Sequence, residues 1–314
     1  MRHNNRRHLS TTLLLCALAT LTLSLSPASP AEAEPRKLPN GETIKACLQK
    51  GPTEMGCVPG GPFLRGSDDG PRSTRPQATV HLQTFYMDKY EVTVQAYEAC
   101  VKAKRCDRQR TWYKDYSRPK QPKVGVSWYA AVKFCKAMGK HLPTEAEWEK
   151  AARGTDGRIF PWGNDPATCK RAVIMDKRGR RSCGVKKAIG KGPNKGRTFV
   201  VGTRAPTQYG LYDMAGNSWE WVYDWYSPYK RCGEACLGVN PKGPCNGNKT
   251  CRGHTLKIIR GGSWYWPARY ARTFYRRTHE PSNTKPYHHF GFRCAASVEE
   301  AKALAAKALA TKAR

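Results

Sequence analysis

Acidic residues are scarce: 24 Asp and Glu stand against 55 Lys and Arg in 314 residues, a formal net charge of +31. An excess of that size works against cationic partners. It favours anionic ones such as phospholipid, lipopolysaccharide, acidic polysaccharide, nucleic acid or sulfated ligands. Long apolar runs are missing too. Residues 13–23 are apolar but too short to cross a bilayer comfortably, and no other segment is a candidate span. No internal repeat is visible, which excludes solenoid and propeller architectures. Beyond residue 33 the histidines are His81, His141, His254, His279, His288 and His289. None has the HxxxH or HExxH spacing that puts two imidazoles on one helix face, so zinc-hydrolase motifs of that kind are excluded.

What is present begins with an address. Arg2, Arg6 and Arg7 precede the apolar run, and Ala31-Glu32-Ala33 follows it. This is the pattern of a secretory signal peptide over residues 1–33, and it predicts a periplasmic or extracellular protein. Its removal takes away three Arg and one Glu and leaves about +29. Twelve of the 13 cysteines lie beyond it, and an even count in an exported chain points to disulfides. Cys47 with Cys57, Cys100 with Cys106, and Cys169 with Cys183 suit local pairing. Cys232, Cys236, Cys245 and Cys251 sit in a Gly/Pro/Asn-rich stretch that allows three pairings. Residues 177–197 carry nine Lys or Arg with no acid and no aromatic ring. Base stacking needs aromatics, so nucleic acid is not the expected partner.

Residues 78–93, rich in β-branched and aromatic side chains, read as strand. Thr93 then caps a helix to about Lys102, with Val94, Tyr97 and Val101 on one face. Ser127 caps a second, with Trp128, Ala131, Cys135 and Met138 as its buried stripe and Gly139 at its end. Thr144 and Glu147 form a capping box that opens a third helix, with Trp148 facing inward and Gly154 closing it. Loops and short strands are expected after Gly154. The tail from Val298 is either a surface helix or frayed.

The most informative run is YGLYDMAGNSWEWVYDWY, residues 209–226. It has neither helical nor strand periodicity over its length. Asp213 to Asn217 reads as loop, while Trp219, Trp221 and Trp225 are too many large rings to stay exposed. A buried loop must satisfy its own backbone polar groups. Asp213, Asn217 and Glu220 suit a hydrogen-bonded loop. They also suit a hard cation held by carbonyls and carboxylates, the mixture calcium takes. A partner stretch runs from Arg260 to Cys294, beginning RGGSWYWPARYARTFYRR and ending FGFRC.

GLYDMAGNSWEW, RGGSW and GFRC resemble the formylglycine-generating enzyme, or sulfatase-modifying-factor, family. So do GGPFLRGSDD (60–69), FYMDKYEVT (85–93), GKHLPTEAEWEKAARG (139–154) and FPWGND (160–165), all in the family's order. The resemblance implies one irregular α+β domain over residues 58–296, related to C-type lectins, disulfide-braced and poor in regular secondary structure. A lead-in, 34–57, precedes it and a basic Ala/Lys-rich tail, 297–314, follows. It also implies a Cys135–Cys294 disulfide.

In the family's enzymes two cysteines after RGGS hold copper(I), oxygen is activated there, and a sulfatase cysteine becomes formylglycine. Soft thiolates are what copper(I) needs. Here the matching positions are Trp266 and Ala271, so copper is not expected. The family's second structural disulfide would fall at Ala152 and Arg276, and both halves are missing together. Trp219, Ser263 and Tyr270 match positions near the family's active site, and Trp266, Arg269 and His289 are expected close by. The implied groove, lined by aromatic and basic groups, suits an anionic or aromatic ligand such as an extended peptide or a cell-surface polymer. The same rings would also serve as plain core.

Asp213, Gly216, Ser218 and Glu220 match one of the family's calcium sites, with Gly216 and Ser218 acting through carbonyls. The other site has Val173 where its leading Asn belongs. One calcium is therefore expected. Three functions remain: an exported binding or accessory module, a divergent periplasmic enzyme like the family members that mature a siderophore without the copper cysteines, and formylglycine generation, which Trp266 and Ala271 oppose.

Overall fold

The computed structural model describes residues 36–111, 114–186, 196–283 and 290–312. The expected signal peptide, His288 and His289 lie outside the described residues. Strands β1 (Met55–Val58), β4 (Phe85–Asp88) and β9 (Ala295–Ser297) form an antiparallel sheet in the order β1-β4-β9. Strands β2 (Gly61–Arg65) and β3 (Ala78–Leu82) make an antiparallel ribbon. A four-stranded sheet runs β7 (Arg277–His279), β6 (Lys257–Arg260), β5 (Trp219–Trp225) and β8 (Phe290–Gly291), with β5 antiparallel to β6 and parallel to β8. The helices are α1 (Val94–Lys102), α2 (Trp128–Ala137), α3 (Glu145–Arg153), the single turn α4 (Tyr229–Cys232) and α5 (Val298–Lys312). Much of the rest is loop.

The helices begin where their caps stand. The hydroxyls of Thr93, Ser127 and Thr144 each accept the third backbone N–H of the helix that follows, from Ala96, Ala130 and Glu147. At α3 the Glu147 carboxylate returns the bond to the Thr144 backbone at 2.8 Å, completing the box. Gly154 ends α3 at φ +71°, a conformation that glycine adopts without strain.

One expectation needs correction. Residues 78–93 are not one strand. The chain turns at Gln83–Thr84, so β3 pairs with β2 while β4 joins β1 and β9 in another sheet. Long-range bonds make the turn: Gln83 accepts from the Lys45 backbone at 2.8 Å, and the Thr84 hydroxyl donates to the Lys45 carbonyl. Within the aperiodic 209–226 run, residues 213–217 are loop as expected, and the short strand β5 follows them. This strand is covered on both faces, so it shows no apolar/polar alternation. The expected inward stripes are present, with Val101 and Met138 only partly buried at their edges.

The larger core cluster lies between α1, α2 and β5 and includes Tyr97, Phe134, Trp219, Trp221 and Phe292. Indole donors stitch it: Trp128 Nε1 donates to the Val222 carbonyl and Trp221 Nε1 to the Val126 carbonyl, both at 2.9 Å. A second cluster gathers Phe63, Val80, Met87, Trp148 and Ile258 around α3. The tail is helical. Its first turns bury Val298 and Ala301, and Glu300 reaches His141 Nδ1 at 2.9 Å, while its far end is exposed.

Six disulfides brace the loops: Cys47–Cys57, Cys100–Cys106, Cys135–Cys294, Cys169–Cys183, Cys232–Cys236 and Cys245–Cys251. The Cys135–Cys294 bridge spans 159 residues and locks α2 to the entry of β9.

Candidate functional site

Two neighbourhoods carry the residues singled out from the sequence. The first is an aromatic–arginine face built by the loop after β6 and by β5. Trp266 lies 4.8 Å from Tyr270, Tyr270 is 4.9 Å from Tyr275, and Tyr275 is 6.1 Å from Trp219 (ring centroids). Arg277 sits over Trp266 at 4.7 Å and over Trp219 at 5.8 Å, and Arg269 over Tyr270 at 4.7 Å. On the other side Tyr265 neighbours Trp266, and Arg181 stacks on it at 4.1 Å while donating to its hydroxyl at 3.0 Å. Trp219 and Ser263 are buried, Trp266 and Tyr270 half-buried, and Arg269 exposed. The Trp219 indole N–H is buried without a partner among the described residues. The face thus brings together Trp219, Trp266, Arg269 and Tyr270, and His289 lies outside the described residues. Tyr265, Tyr275, Arg181 and Arg277 were not picked out from the sequence. For three of them, the density of rings and arginines in residues 264–277 was the available signal.

Arginine over an aromatic face is a cation–π arrangement that leaves guanidinium edges for an anion and ring faces for a planar group. Among the described residues no sulfur stands in this face. Ala271 is fully buried, and every described cysteine is in a disulfide. The donor set therefore does not fit copper(I).

The second neighbourhood is the Asp213 loop. Gly216 holds it against residue 173. Asn217 N donates to the Val173 carbonyl at 2.8 Å, Gly216 has φ +83°, and a Cβ there would stand 2.6 Å from the Val173 oxygen. Asp213 Oδ2 accepts from Gly202 N at 2.6 Å, whereas its Oδ1 is buried with no partner among the described residues. Burial pushes the Asp213 carboxyl up to about 6. Glu220 is more committed: Arg293 clasps both its oxygens at 2.7 and 2.8 Å, and Trp148 Nε1 donates to Oε2 at 2.9 Å. Glu91, which the sequence reading passed over, completes the group. It accepts from Asn217 Nδ2 at 2.6 Å and Ser218 N at 3.0 Å, and burial with Asp213 and Glu220 nearby raises its pKa well above the usual range. Three buried carboxylates thus surround Arg293. The surplus negative charge and the orphaned Asp213 Oδ1 fit a hard divalent cation. Glu220 has one lone-pair direction left for it. Among the described residues no group of three or more His, Cys, Asp and Glu side chains converges as a metal site, so such a cation would rely on carbonyl oxygens as well.

The two positions implied for an absent disulfide are used otherwise. Ala152 is core, and Arg276 clasps both oxygens of Glu145 at 2.7 and 2.8 Å. Arg260 bridges Glu145 and Glu149 at 2.9 and 2.8 Å, and Arg153 adds a bond to Glu149 at 2.9 Å. Two larger cavities have none of the aromatic face's residues among their described lining. One of about 620 Å³ sits beside His141 and Glu300, and another of about 720 Å³ lies over the Cys169–Cys183 disulfide.

Comparison with known proteins matches this architecture. The family model for the sulfatase-modifying factor enzyme 1-like domain matches residues 41–298. The formylglycine-generating enzyme of Thermomonospora curvata is 31% identical over 77% of this chain and 93% of its own length. That of Bos taurus is 30% identical over 78% of this chain and 75% of its own. Among solved structures, PvdO from Pseudomonas aeruginosa superposes with a TM-score of 0.59 at 25% identity, covering 77% of this chain and 94% of that one. Among the described residues, no helix is long and apolar enough to cross a membrane. With an α+β fold braced by disulfides, and with this span of similarity, the chain belongs to the formylglycine-generating enzyme (sulfatase-modifying factor) family.

Proposed function

We propose that this protein is an exported, calcium-stabilised binding or accessory module that takes an anionic or aromatic ligand on its aromatic–arginine face. The observation that carries the reading is the pair Trp266 and Arg277. Where the family's enzymes need soft sulfur, this chain places an indole with a guanidinium 4.7 Å from its centroid. That pairing recognises charge and planarity and performs no oxygen chemistry of its own. Calcium would be held by Asp213 and Glu220 with the carbonyls of Gly216 and Ser218, neutralising the carboxylate surplus around Arg293. Export rests on the signal-peptide pattern of residues 1–33.

A second reading is a divergent maturation oxidoreductase of the same family. Similarity to formylglycine-generating enzymes over most of the chain, with Trp219, Ser263 and Tyr270 retained, favours it. Metal analysis by mass spectrometry on protein from an exporting host, without added metal, separates the two. Calcium near one per chain with no copper or iron, and a lower melting temperature in chelator, is the expected result. Stoichiometric copper or iron would overturn the binding-module reading in favour of the enzyme.

A further inference from the structure

The basic run that the fold left unexplained has a shape. Its first part, with the segment before it, walls the cavity of about 720 Å³ over the Cys169–Cys183 disulfide. Lys170, Lys177, Arg178 and Arg180 line this hollow, and Met175 lies against its apolar floor. Among the described residues Asp176 is the one acid in the lining, and it is spent on the loop itself. Oδ1 accepts from the backbone N–H of Arg178 and of Arg180, each at 2.9 Å, and Oδ2 takes Arg180 Nε at 2.8 Å. Among the described residues Lys170, Lys177 and Arg178 have no acidic partner, and all three are exposed. Three like charges with no counterion group around one concavity raise the local positive potential, because the low-dielectric wall focuses it.

The hollow is also fixed in place. Besides the disulfide, Cys183 N donates to the Ile174 carbonyl at 2.8 Å and Met175 N to the Trp266 carbonyl at 3.0 Å. A wall held this way loses little freedom when a ligand arrives. Among the described residues no aromatic ring lines it, so the lining offers no base stacking. A concave wall also suits a compact ligand better than a flat bilayer.

We propose that this hollow is an anion-binding site for a small, multiply charged ligand bearing phosphate or sulfate groups. Its lining shares no side chain with the aromatic–arginine face that it adjoins through Met175 and Arg181, and it does not depend on the function assigned to that face. The net charge of +31 makes diffuse attraction the competing explanation, so the test compares two variants of equal charge. Full-chain protein at physiological salt is titrated calorimetrically with inositol hexakisphosphate and, separately, with sucrose octasulfate. One variant replaces Lys170, Lys177 and Arg178 by Ser; the control replaces Lys50, Lys102 and Lys120, which are exposed and lie outside the hollow. Loss of three exposed charge contacts should weaken binding about tenfold in the first variant and less than about twofold in the control, with unchanged melting temperatures. Binding of one probe alone would support the site and fix its group as phosphate or sulfate. Equal weakening in both variants, or no saturable binding of either probe by the native protein, would overturn the proposal.

Discussion

Replacing Arg276 by Met isolates what holds α3 against the β6–β7 region. The native guanidinium is buried and makes four hydrogen bonds: Nε and one terminal nitrogen clasp Glu145, and the other terminal nitrogen donates to the carbonyls of Ser73 and Ser227 at 2.6 and 2.9 Å. Methionine fills similar volume but leaves Glu145 Oε2 without its ion partner, Oε1 with Arg260 alone, and two carbonyls without donors. Breaking a buried pair from one side costs ~3–5 kcal/mol, because the stranded charge keeps its desolvation penalty. In a chain of this size that is a fall in melting temperature of roughly 10 °C.

The pH dependence follows. Burial alone would raise the Glu145 pKa, but Arg276 and Arg260 together bring it below the ordinary carboxylate range. Its contribution is therefore present above the unfolded pKa and lost as pH falls through the lower folded value. Without Arg276 the folded pKa rises towards or past the unfolded value, so this acid-side loss shrinks and the variant's deficit is smaller at low pH than at pH 7. Thermal and guanidinium unfolding at pH 7 and pH 5 measure both effects. Pairing the change with Glu145→Gln should restore part of the loss, because no unpaired charge then remains. A single-variant loss below about 1 kcal/mol, or strict additivity in the cycle, would refute the reasoning.

Two further outcomes are expected. Burial tends to lower the His141 pKa, but Glu147 at 3.2 Å and Glu300 at 2.9 Å outweigh it and push the imidazole up to about 10. Its NMR signals should show a protonated ring still at pH 8, and a midpoint near the ordinary ~6.5 would contradict the double clasp. Thr144→Ala removes the cap of α3 and should cost ~1–2 kcal/mol, with Thr144→Ser recovering most of it. An alanine variant as stable as the native protein would show that the Asp224 contact to Glu145 N at 2.7 Å suffices as a cap.

The helices were legible because their signals are local. A capping hydroxyl bonds a backbone N–H three residues on, and Gly154 closes α3 within the same short segment. The break between β3 and β4 was hidden because its causes lie near Lys45, some 38 residues away. Strand β5 was hidden because both of its faces are covered. For the site, the motif positions led to Trp219, Trp266 and Tyr270. Glu91 reads as one more residue in an extended segment, until the fold brings it to Ser218 across 127 residues. Arg181 reaches the aromatic face across 84 residues and carries no mark of that in its own surroundings.

The β1-β4-β9 sheet also sets the order in which the molecule can be completed. Residues 85–87 leave the ribosome early, yet their partners on one side are residues 295–297. Until that late segment emerges, β4 has an open edge, and an open edge invites pairing with another chain. Cys135 likewise waits, across 159 residues, for Cys294. The last segment to be made therefore closes the structure. A truncation just before residue 290 would leave an adhesive edge and an unpaired thiol on the same side of the molecule.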